Sequence, residues 1–137
     1  MQHMSIKALN KILNDTVELI HLTRKGVEYS LFNSIVLTTP YSIKDWSTFL
    51  HLTERTLQRY KKEDKSFEQP YSERILEIAQ LHKKGTEVFG NTDFFNQWLD
   101  SNIVALGGIK PKSLLDSSFG ITVLNQELTR IEHGVLA

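Results

Sequence analysis

Apolar residues recur at helical spacing along most of this sequence. Ile43, Trp46, Phe49 and Leu50 follow the i, i+3, i+6, i+7 pattern of one helix face. Three more stripes have similar spacing: Ile75, Ile78, Ala79 and Leu81; Phe94, Phe95, Trp98 and Leu99; and Ile121, Leu124, Leu128 and Ile131. Three aromatic residues of these stripes are interpreted as core and not as a ligand site: Phe94, Phe95 and Trp98. The pattern predicts an all-α fold of roughly seven or eight helices.

Signals for helix ends accompany the stripes. Asp15, Ser42 and Thr53 stand where a helix needs an N-terminal capping side chain, and Gly26 stands where one would stop. No long segment alternates apolar and polar residues as a half-buried strand does. Only Ser34–Thr39 has the β-branched composition of a strand, so both structures stay open for that segment.

The C-terminal stripe has its own boundary signals. Ser117 and Ser118 are both candidates for the cap of the last helix, and Gly134 is expected to end it. The most charged stretch, Lys61–Pro70, is expected to form a loop or hinge between two parts of the chain.

Residues 42–62 have the layout of a helix-turn-helix, with two short helices joined by about three residues. Leu52, Leu57 and Tyr60 are expected to face inward. His51 stands where such turns often carry glycine, and histidine tolerates a positive φ better than most residues. Arginine binds guanine edges, glutamine binds adenine, and threonine and lysine reach phosphates. The candidate DNA-binding residues are Thr53, Arg55, Thr56, Gln58, Arg59 and Lys62.

Charge supports this interpretation only locally. The whole chain of 137 residues has a formal net charge of zero. Residues 51–62 contain four positive side chains and one negative, for a net charge of +3. Such a basic patch is typical of a surface that binds nucleic acid. The alternative, an ordinary solvated helix face, also stays open.

Several kinds of chemistry find no support. The chain has no cysteine, and no two of its five histidines lie three or four residues apart, so no metal site is predicted. Ala105–Gly108 lacks the glycine spacing of a phosphate-binding loop and is interpreted as a helix stop and tight turn. Glu132 and His133 have no nucleophile beside them. We therefore expect no enzyme and no cofactor. No apolar run approaches the roughly 20 residues of a membrane span, and a cytoplasmic protein is expected.

The C-terminal half resembles a known family in four motifs. These are a helix with Trp98, the Ala105–Gly108 turn, the helix start Pro111–Leu115, and the closing Arg130–Gly134. Together they resemble the Xre/MbcA/ParS-type antitoxins of bacterial toxin–antitoxin pairs. The resemblance extends over most of the chain beyond about residue 15. Val104 stands where that family usually has proline before the turn.

The resemblance implies two domains. Residues 1–66 would form an N-terminal helical region with the helix-turn-helix, and residues 67–137 would form a C-terminal toxin-binding domain. The partners would be operator DNA and a RES-domain toxin that consumes NAD or transfers ADP-ribose from it. The antitoxin would block this toxin and repress their operon as a homodimer. The implied toxin contacts are Leu106, Gly107, Gly108, Arg130, Glu132, His133, Gly134, Val135, Leu136 and Ala137.

Two other functions are compatible with the residues alone. One is a stand-alone helix-turn-helix regulator whose C-terminal domain only dimerises. The other is a small hydrolase that would use Glu132 and His133. The gene next to this one would separate the antitoxin from the stand-alone regulator, because only the antitoxin requires a toxin frame there.

Overall fold

The computed structural model describes residues 4–136, and the side chains of residues 4–134. This part of the chain contains eight α-helices, two 3-10 helices and no strand, which confirms the all-α prediction. The α-helices are α1 (Ile6–Leu13), α2 (Thr16–Lys25), α3 (Tyr29–Thr38), α4 (Ile43–Leu50), α5 (Glu54–Glu63), α6 (Gln69–Phe89), α7 (Thr92–Leu99) and α8 (Ser118–Leu136). The 3-10 helices are Val104–Leu106 and Pro111–Leu114.

The segment with strand composition is helical. It lies almost entirely in α3, where Leu31, Phe32 and Ile35 are buried at helical spacing. Burial of this face outweighs the weak strand preference of its β-branched residues, because strand propensity depends strongly on context. Within the described chain, no helix is long and apolar enough to cross a membrane.

The expected caps are present. Asp15 Oδ1 accepts a hydrogen bond from the Glu18 amide at 3.1 Å. Ser42 and Asp45 form a reciprocal capping box with two bonds of 3.0 Å. A bond of this kind at an N-cap contributes about 1 kcal/mol. Gly26, with a φ of 101°, ends α2.

Of the two predictions for the ends of α8, the one for its start is confirmed and the one for its end is wrong. Ser117 is its cap, because the Ser117 hydroxyl accepts from the Gly120 amide at 3.0 Å. The expected stop at Gly134 is wrong, since α8 continues to Leu136. A glycine ends a helix when it takes the left-handed conformation, and Gly134 is not among the glycines with positive φ.

Backbone contacts divide the chain into two compact units, with the dividing point between Ala79 and Gln80 inside α6. The predicted boundary between 66 and 67 lies in the loop that connects α5 to α6, and it stays a prediction. The charged stretch Lys61–Pro70 contains this loop, as expected, but its two ends belong to helices.

The core of the first unit is aromatic. Phe32 contacts Trp46 and Phe67 edge to face, with ring centroids 5.2 and 5.0 Å apart. All three rings are essentially inaccessible to solvent. Each such pair contributes about 0.5–1.5 kcal/mol beyond the burial of its surface. The cluster joins α3 to α4 and to the segment before α6.

The buried hydroxyl of Ser72, near the start of α6, ties two loops together. It accepts from the Val27 amide at 2.8 Å and donates to the Phe67 carbonyl at 3.0 Å. The Phe67 amide returns a bond of 2.9 Å to the Val27 carbonyl. Gly26 lies beside this network, where a Cβ would stand 2.7 Å from the Phe67 oxygen.

Helix α6 also binds the end of α4. Less than one turn beyond Ser72, Arg74 Nη1 donates to the Phe49 carbonyl at 2.9 Å. The first half of α6 therefore holds α4 in place through a hydrogen bond from a charged donor, which is stronger than one between neutral groups.

The second unit contains the rest of α6, α7, both 3-10 helices and α8. Lys84 Nζ of α6 donates to Thr129 Oγ1 at 2.5 Å and to the Asn125 carbonyl at 3.3 Å, and so joins α6 to α8. Phe95 is fully buried, as expected, and Trp98 is half-buried. The expectation for Phe94 is wrong, because its side chain is 55% exposed. It lies on the outward face of α7, next to the buried Phe95 in sequence and therefore turned away from the core.

Candidate functional site

Helices α4 and α5 form the predicted helix-turn-helix. They are connected by three residues, and His51 takes the left-handed conformation with φ 56° and ψ 38°. The Leu52 amide bonds back to the Ser47 carbonyl at 3.0 Å, which closes the end of α4. Leu57 and Tyr60 are buried as predicted, whereas Leu52 is half-buried. The histidine therefore supplies the positive φ that such a turn often takes from glycine.

Four of the six candidate DNA-binding residues share one solvent-exposed face of α5. Arg55, Gln58, Arg59 and Lys62 are all exposed and follow i, i+3, i+4, i+7 spacing. The face is about 10 Å long. It carries three cations and an amide, which can donate to phosphates and to base edges in a major groove.

Arg59 also contacts its neighbours on α5. Its guanidinium lies 5.8 Å from the Tyr60 ring centroid and 4.0 Å from Glu63 Oε2. Both charged groups of this pair are exposed, so water screens the attraction to well under about 1 kcal/mol. Such a contact positions the guanidinium without competing strongly against a phosphate or a base.

The two threonines are placed differently. Thr53 Oγ1 accepts from the Thr56 amide at 3.0 Å and lies 2.9 Å from the Thr56 hydroxyl. Thr53 is thus the cap of α5, and Thr56 is half-buried beside that cap. The structure does not bring these two side chains onto the face of Arg55.

In the second unit, residues 103–109 form a closed loop. Ile103 and Ile109 make an isolated antiparallel bridge, and the Ile103 amide donates to the Ile109 carbonyl at 3.0 Å. The Gly108 amide donates a hydrogen bond to the Ile103 carbonyl at 2.9 Å. Gly107 and Gly108 are exposed and have φ values of 81° and 79°, which side chains rarely adopt. Leu106 is half-buried. The predicted contact residues Leu106, Gly107 and Gly108 therefore form the tip of a defined loop.

The predicted contact residues on α8 do not all share one face. Arg130 and His133 are exposed on the outward side, opposite the buried Leu124 and Leu128. Glu132 is also exposed, but two residues from Arg130 it lies on nearly the opposite side of the helix. The structure thus brings together Arg130 and His133 and separates Glu132 from them.

The structure describes the last four predicted toxin contacts, residues 134–137, only in part. Gly134 is exposed and lies within α8. The backbone of Val135 and Leu136 continues that helix, while their side chains and all of Ala137 lie outside the described residues.

A buried carboxylate holds Arg130. Arg130 Nε donates to both Glu127 oxygens at 3.0 Å, and Nη2 also bonds to Oε1. These hydrogen bonds, together with the attraction of the Glu127 charge, raise the pKa of Arg130 above its usual value. Glu127 is buried and Arg130 is exposed, so the pair fixes the guanidinium at the surface.

Sequence reasoning missed four exposed apolar side chains in this unit. Val104 and Ile109 at the loop are 91% and 41% exposed, and Phe119 and Val123 on α8 are 89% and 42% exposed. Their signal was present, because Phe119 and Val123 are apolar residues that fall outside the buried stripe of α8. No group of three or more metal-binding side chains that could hold an ion occurs in residues 4–134.

Two family models match adjacent parts of the chain. The antitoxin Xre-like helix-turn-helix domain matches residues 18–80, and the antitoxin Xre/MbcA/ParS C-terminal toxin-binding domain matches residues 84–134. The chain belongs to the Xre/MbcA/ParS antitoxin family. This confirms the resemblance seen in the motifs around Trp98, Ala105–Gly108 and Arg130–Gly134.

Two curated relatives are also named antitoxins. The chain is 27% identical over 130 residues to the "Prs ADP-ribosylating antitoxin" of Sphingobium sp. (strain YBL2), covering 88% of this chain and 82% of the relative. It is 27% identical over 116 residues to "Antitoxin Xre" of Photorhabdus laumondii subsp. laumondii, covering 78% of each.

The family assigns a role to each unit. In an Xre/MbcA/ParS antitoxin the helix-turn-helix domain implies DNA as a partner, and the toxin-binding domain implies a toxin. The exposed face of α5 lies within the first match, and the loop 103–109 lies within the second together with α8 up to Gly134.

Proposed function

We propose that this antitoxin binds and blocks a RES-domain toxin that consumes NAD, and represses their shared operon by binding operator DNA as a homodimer. It would act in the cytoplasm, where that DNA would lie. The proposal rests above all on one observation. Each unit presents an exposed surface that its own core does not need: the basic face of α5 in one, and the loop with the outward side of α8 in the other.

The chemistry of α5 supports the repressor function. Arg55, Gln58 and Arg59 are spaced to reach neighbouring base edges, and Lys62 stands where it can neutralise a phosphate. A single helix-turn-helix buries too little surface for strong specificity, so such proteins usually bind paired half-sites as symmetric dimers. A homodimer would place two copies of this face on one operator.

The second unit supports the toxin-blocking function. An enzyme that uses NAD needs a concave site, and a projecting chain segment can fill such a site. Loop 103–109 exposes Val104, Gly107 and Gly108, and apart from adjacent residues no described atom lies within 4 Å of a Cβ built on either glycine. The end of α8 carries Arg130 and His133, which can make polar contacts at the rim of the site. Glu132, Gly134, Val135, Leu136 and Ala137 would complete this contact.

Co-expression with the protein encoded by the neighbouring reading frame tests the proposal. That protein alone should lower cellular NAD and stop growth, and the antitoxin should restore both and copurify with it. A neighbouring protein that leaves NAD unchanged, or that the antitoxin does not retain, would contradict the toxin assignment. Light scattering at tens of micromolar gives the mass, and a monomer that still binds its operator specifically would contradict the homodimer.

A variant of α5 separates the two functions. Arg55→Ala combined with Arg59→Ala should abolish operator binding and leave growth rescue intact when both genes are expressed from a foreign promoter. Loss of rescue by this variant would mean that α5 also contacts the toxin.

A further inference from the structure

The start of α8 exposes an aromatic side chain that the fold does not use. Phe119 is 89% exposed, and Val123, one turn later on the same side, is 42% exposed. The buried face of α8 is already complete with Ile121, Leu124 and Leu128. An exposed aromatic residue next to a second apolar residue is unfavourable in water unless something covers it.

The fold holds Phe119 in this position. Its neighbour Gly120 is buried, and a Cβ there would overlap the Leu114 carbonyl and lie 3.0 Å from the Leu114 side chain. The Ser117 hydroxyl caps the Gly120 amide at 3.0 Å. Because Gly120 is pressed against Leu114, residue 119 must point away from the 3-10 helix Pro111–Leu114. The backbone that carries Phe119 therefore needs no ordering when this side chain binds a partner.

The same side of α8 continues toward Arg130. Phe119, Val123, Gln126, Arg130 and His133 follow helical spacing, and all five are exposed. Phe119 and Arg130 are about 16 Å apart along the axis. Of the two acidic residues in the second half of α8, Glu127 is buried against Arg130 and Glu132 lies on the far side. The outward side of α8 is therefore apolar at its start and a hydrogen-bond donor at its end.

We propose that Phe119, with Val123 beside it, is the anchor by which the toxin docks on α8. The inference rests on the proposed function and deepens it. The toxin would present an apolar groove to Phe119 and acceptor groups to Arg130. An amphipathic helix lying in a groove is a common mode of protein recognition, and buried aromatic anchors dominate the affinity of such interfaces.

Two observations favour the toxin as the occupant. Phe119 and Val123 lie within the 84–134 stretch that matches the toxin-binding domain. They are also continuous with Arg130 and His133 on one side of one helix. Since Phe119 lies about 16 Å from Arg130, it would reach a different part of the toxin from the residues at the end of α8. Its role is affinity and choice of partner, and the blocking of the NAD site belongs to other residues.

The test compares Phe119→Ala with Leu37→Ala. Leu37, on α3 in the first unit, is a matched control because it is an apolar side chain that is 62% exposed. The probe is the protein of the neighbouring reading frame, refolded from its complex and immobilised for biolayer interferometry. Phe119→Ala should weaken binding roughly 10- to 100-fold, mostly through faster dissociation. Leu37→Ala should bind like the wild type, and Phe119→Leu should keep most of the affinity because it keeps apolar volume.

Each alternative outcome is distinct. Phe119→Ala should melt at the wild-type temperature, since an exposed side chain leaves no cavity when it is removed. Wild-type affinity in Phe119→Ala overturns the inference while leaving the proposed function intact. Loss of the homodimer with unchanged affinity for the toxin also overturns it, since the covering partner is then a second copy. A toxin that the wild type does not bind overturns the proposed function itself.

Discussion

The ring of Phe95 on α7 lies directly against the backbone of α6 at Gly85. A Cβ built on Gly85 would overlap the Cε1 and Cζ atoms of that ring. The ring is fully buried and also contacts Trp98, with centroids 5.9 Å apart. A glycine in the last part of α6 therefore serves the packing of the toxin-binding unit, although glycine is a poor residue inside a helix.

Gly85→Ala should destabilise the protein by about 1–3 kcal/mol, because the Phe95 ring must move out of a packed core. This sign is opposite to that of an ordinary glycine-to-alanine change in a helix, which stabilises by up to about 1 kcal/mol. Urea denaturation followed by circular dichroism measures the difference. Gly134→Ala is the matched control, since Gly134 lies in α8 and, among the described residues outside its own helix backbone, no atom stands within 4 Å of the position that a Cβ would take there. Equal stability of Gly85→Ala and the wild type would contradict the packing argument.

Stability should fall as the pH is lowered from 7 to 5. Burial lowers the pKa of His82 to about 4, and its ring packs 5.4 Å from that of Phe95. Below about pH 6.5 the unfolded chain takes up a proton at this histidine and the folded chain does not, so folding becomes less favourable. The complete loss, reached as the pH falls through the folded pKa, is roughly 3 kcal/mol. Urea midpoints at the two pH values give the slope, and His82→Gln should have a smaller one. A variant with the same pH dependence as the wild type would remove His82 as its source.

The exposed face of α5 should account for operator binding. Replacing Arg59 or Gln58 by alanine should cost about 1–3 kcal/mol where the side chain contacts a base. The double variant Arg55→Ala/Arg59→Ala should also bind with a weaker dependence on salt, because each lost phosphate contact lowers the slope of log K against log salt by roughly 0.9. Gel-shift titration at several salt concentrations separates these effects.

The control for that experiment removes the same charge elsewhere. Lys7 and Lys11 on α1 are both exposed, and their double alanine variant also loses two positive charges. It should retain most operator affinity. If the two double variants weaken binding equally, the effect comes from net charge, and the face of α5 has no special role.

Deletion of residues 132–137 should abolish toxin neutralisation in cells. The deletion leaves the buried residues of α8 up to Leu128 and the Arg130–Glu127 pair in place, so the fold and most operator binding should persist. Growth after toxin induction, with operator affinity measured in parallel, is the readout. If the shortened protein still rescues growth, the loop tip at Leu106, Gly107 and Gly108 becomes the better candidate for the blocking element.

The helices and their caps followed from the sequence because they depend on local chemistry. Ser42 with Asp45 is one such signal, and it required no knowledge of distant residues. Phe94 was wrongly assigned to the core because Phe94 and Phe95 are adjacent apolar residues, and periodicity does not say which of two neighbours faces inward. Gly134 was wrongly interpreted as a stop because glycine permits the left-handed conformation without requiring it.

Some residues of the candidate sites could likewise be predicted from local spacing, and others could not. The outward set Arg55, Gln58, Arg59 and Lys62 could be predicted from spacing on α5 alone. Spacing on α8 also places Phe119 outside the buried stripe, but it does not reveal the close packing of Gly120 on Leu114, because that contact joins two elements. The buried Glu127 that holds Arg130 was missed for a related reason, since a charged residue is usually expected at the surface.

Helix α6 passes through the point that divides the two units, and this restricts where related genes can exchange their parts. A fragment that stopped at residue 66 would lack Ser72 and Arg74, which bind Val27 and Phe49 in the first unit. Recombination that gives a helix-turn-helix unit a new toxin-binding unit is therefore expected to place its crossover after Arg74, so that the first unit keeps the start of α6.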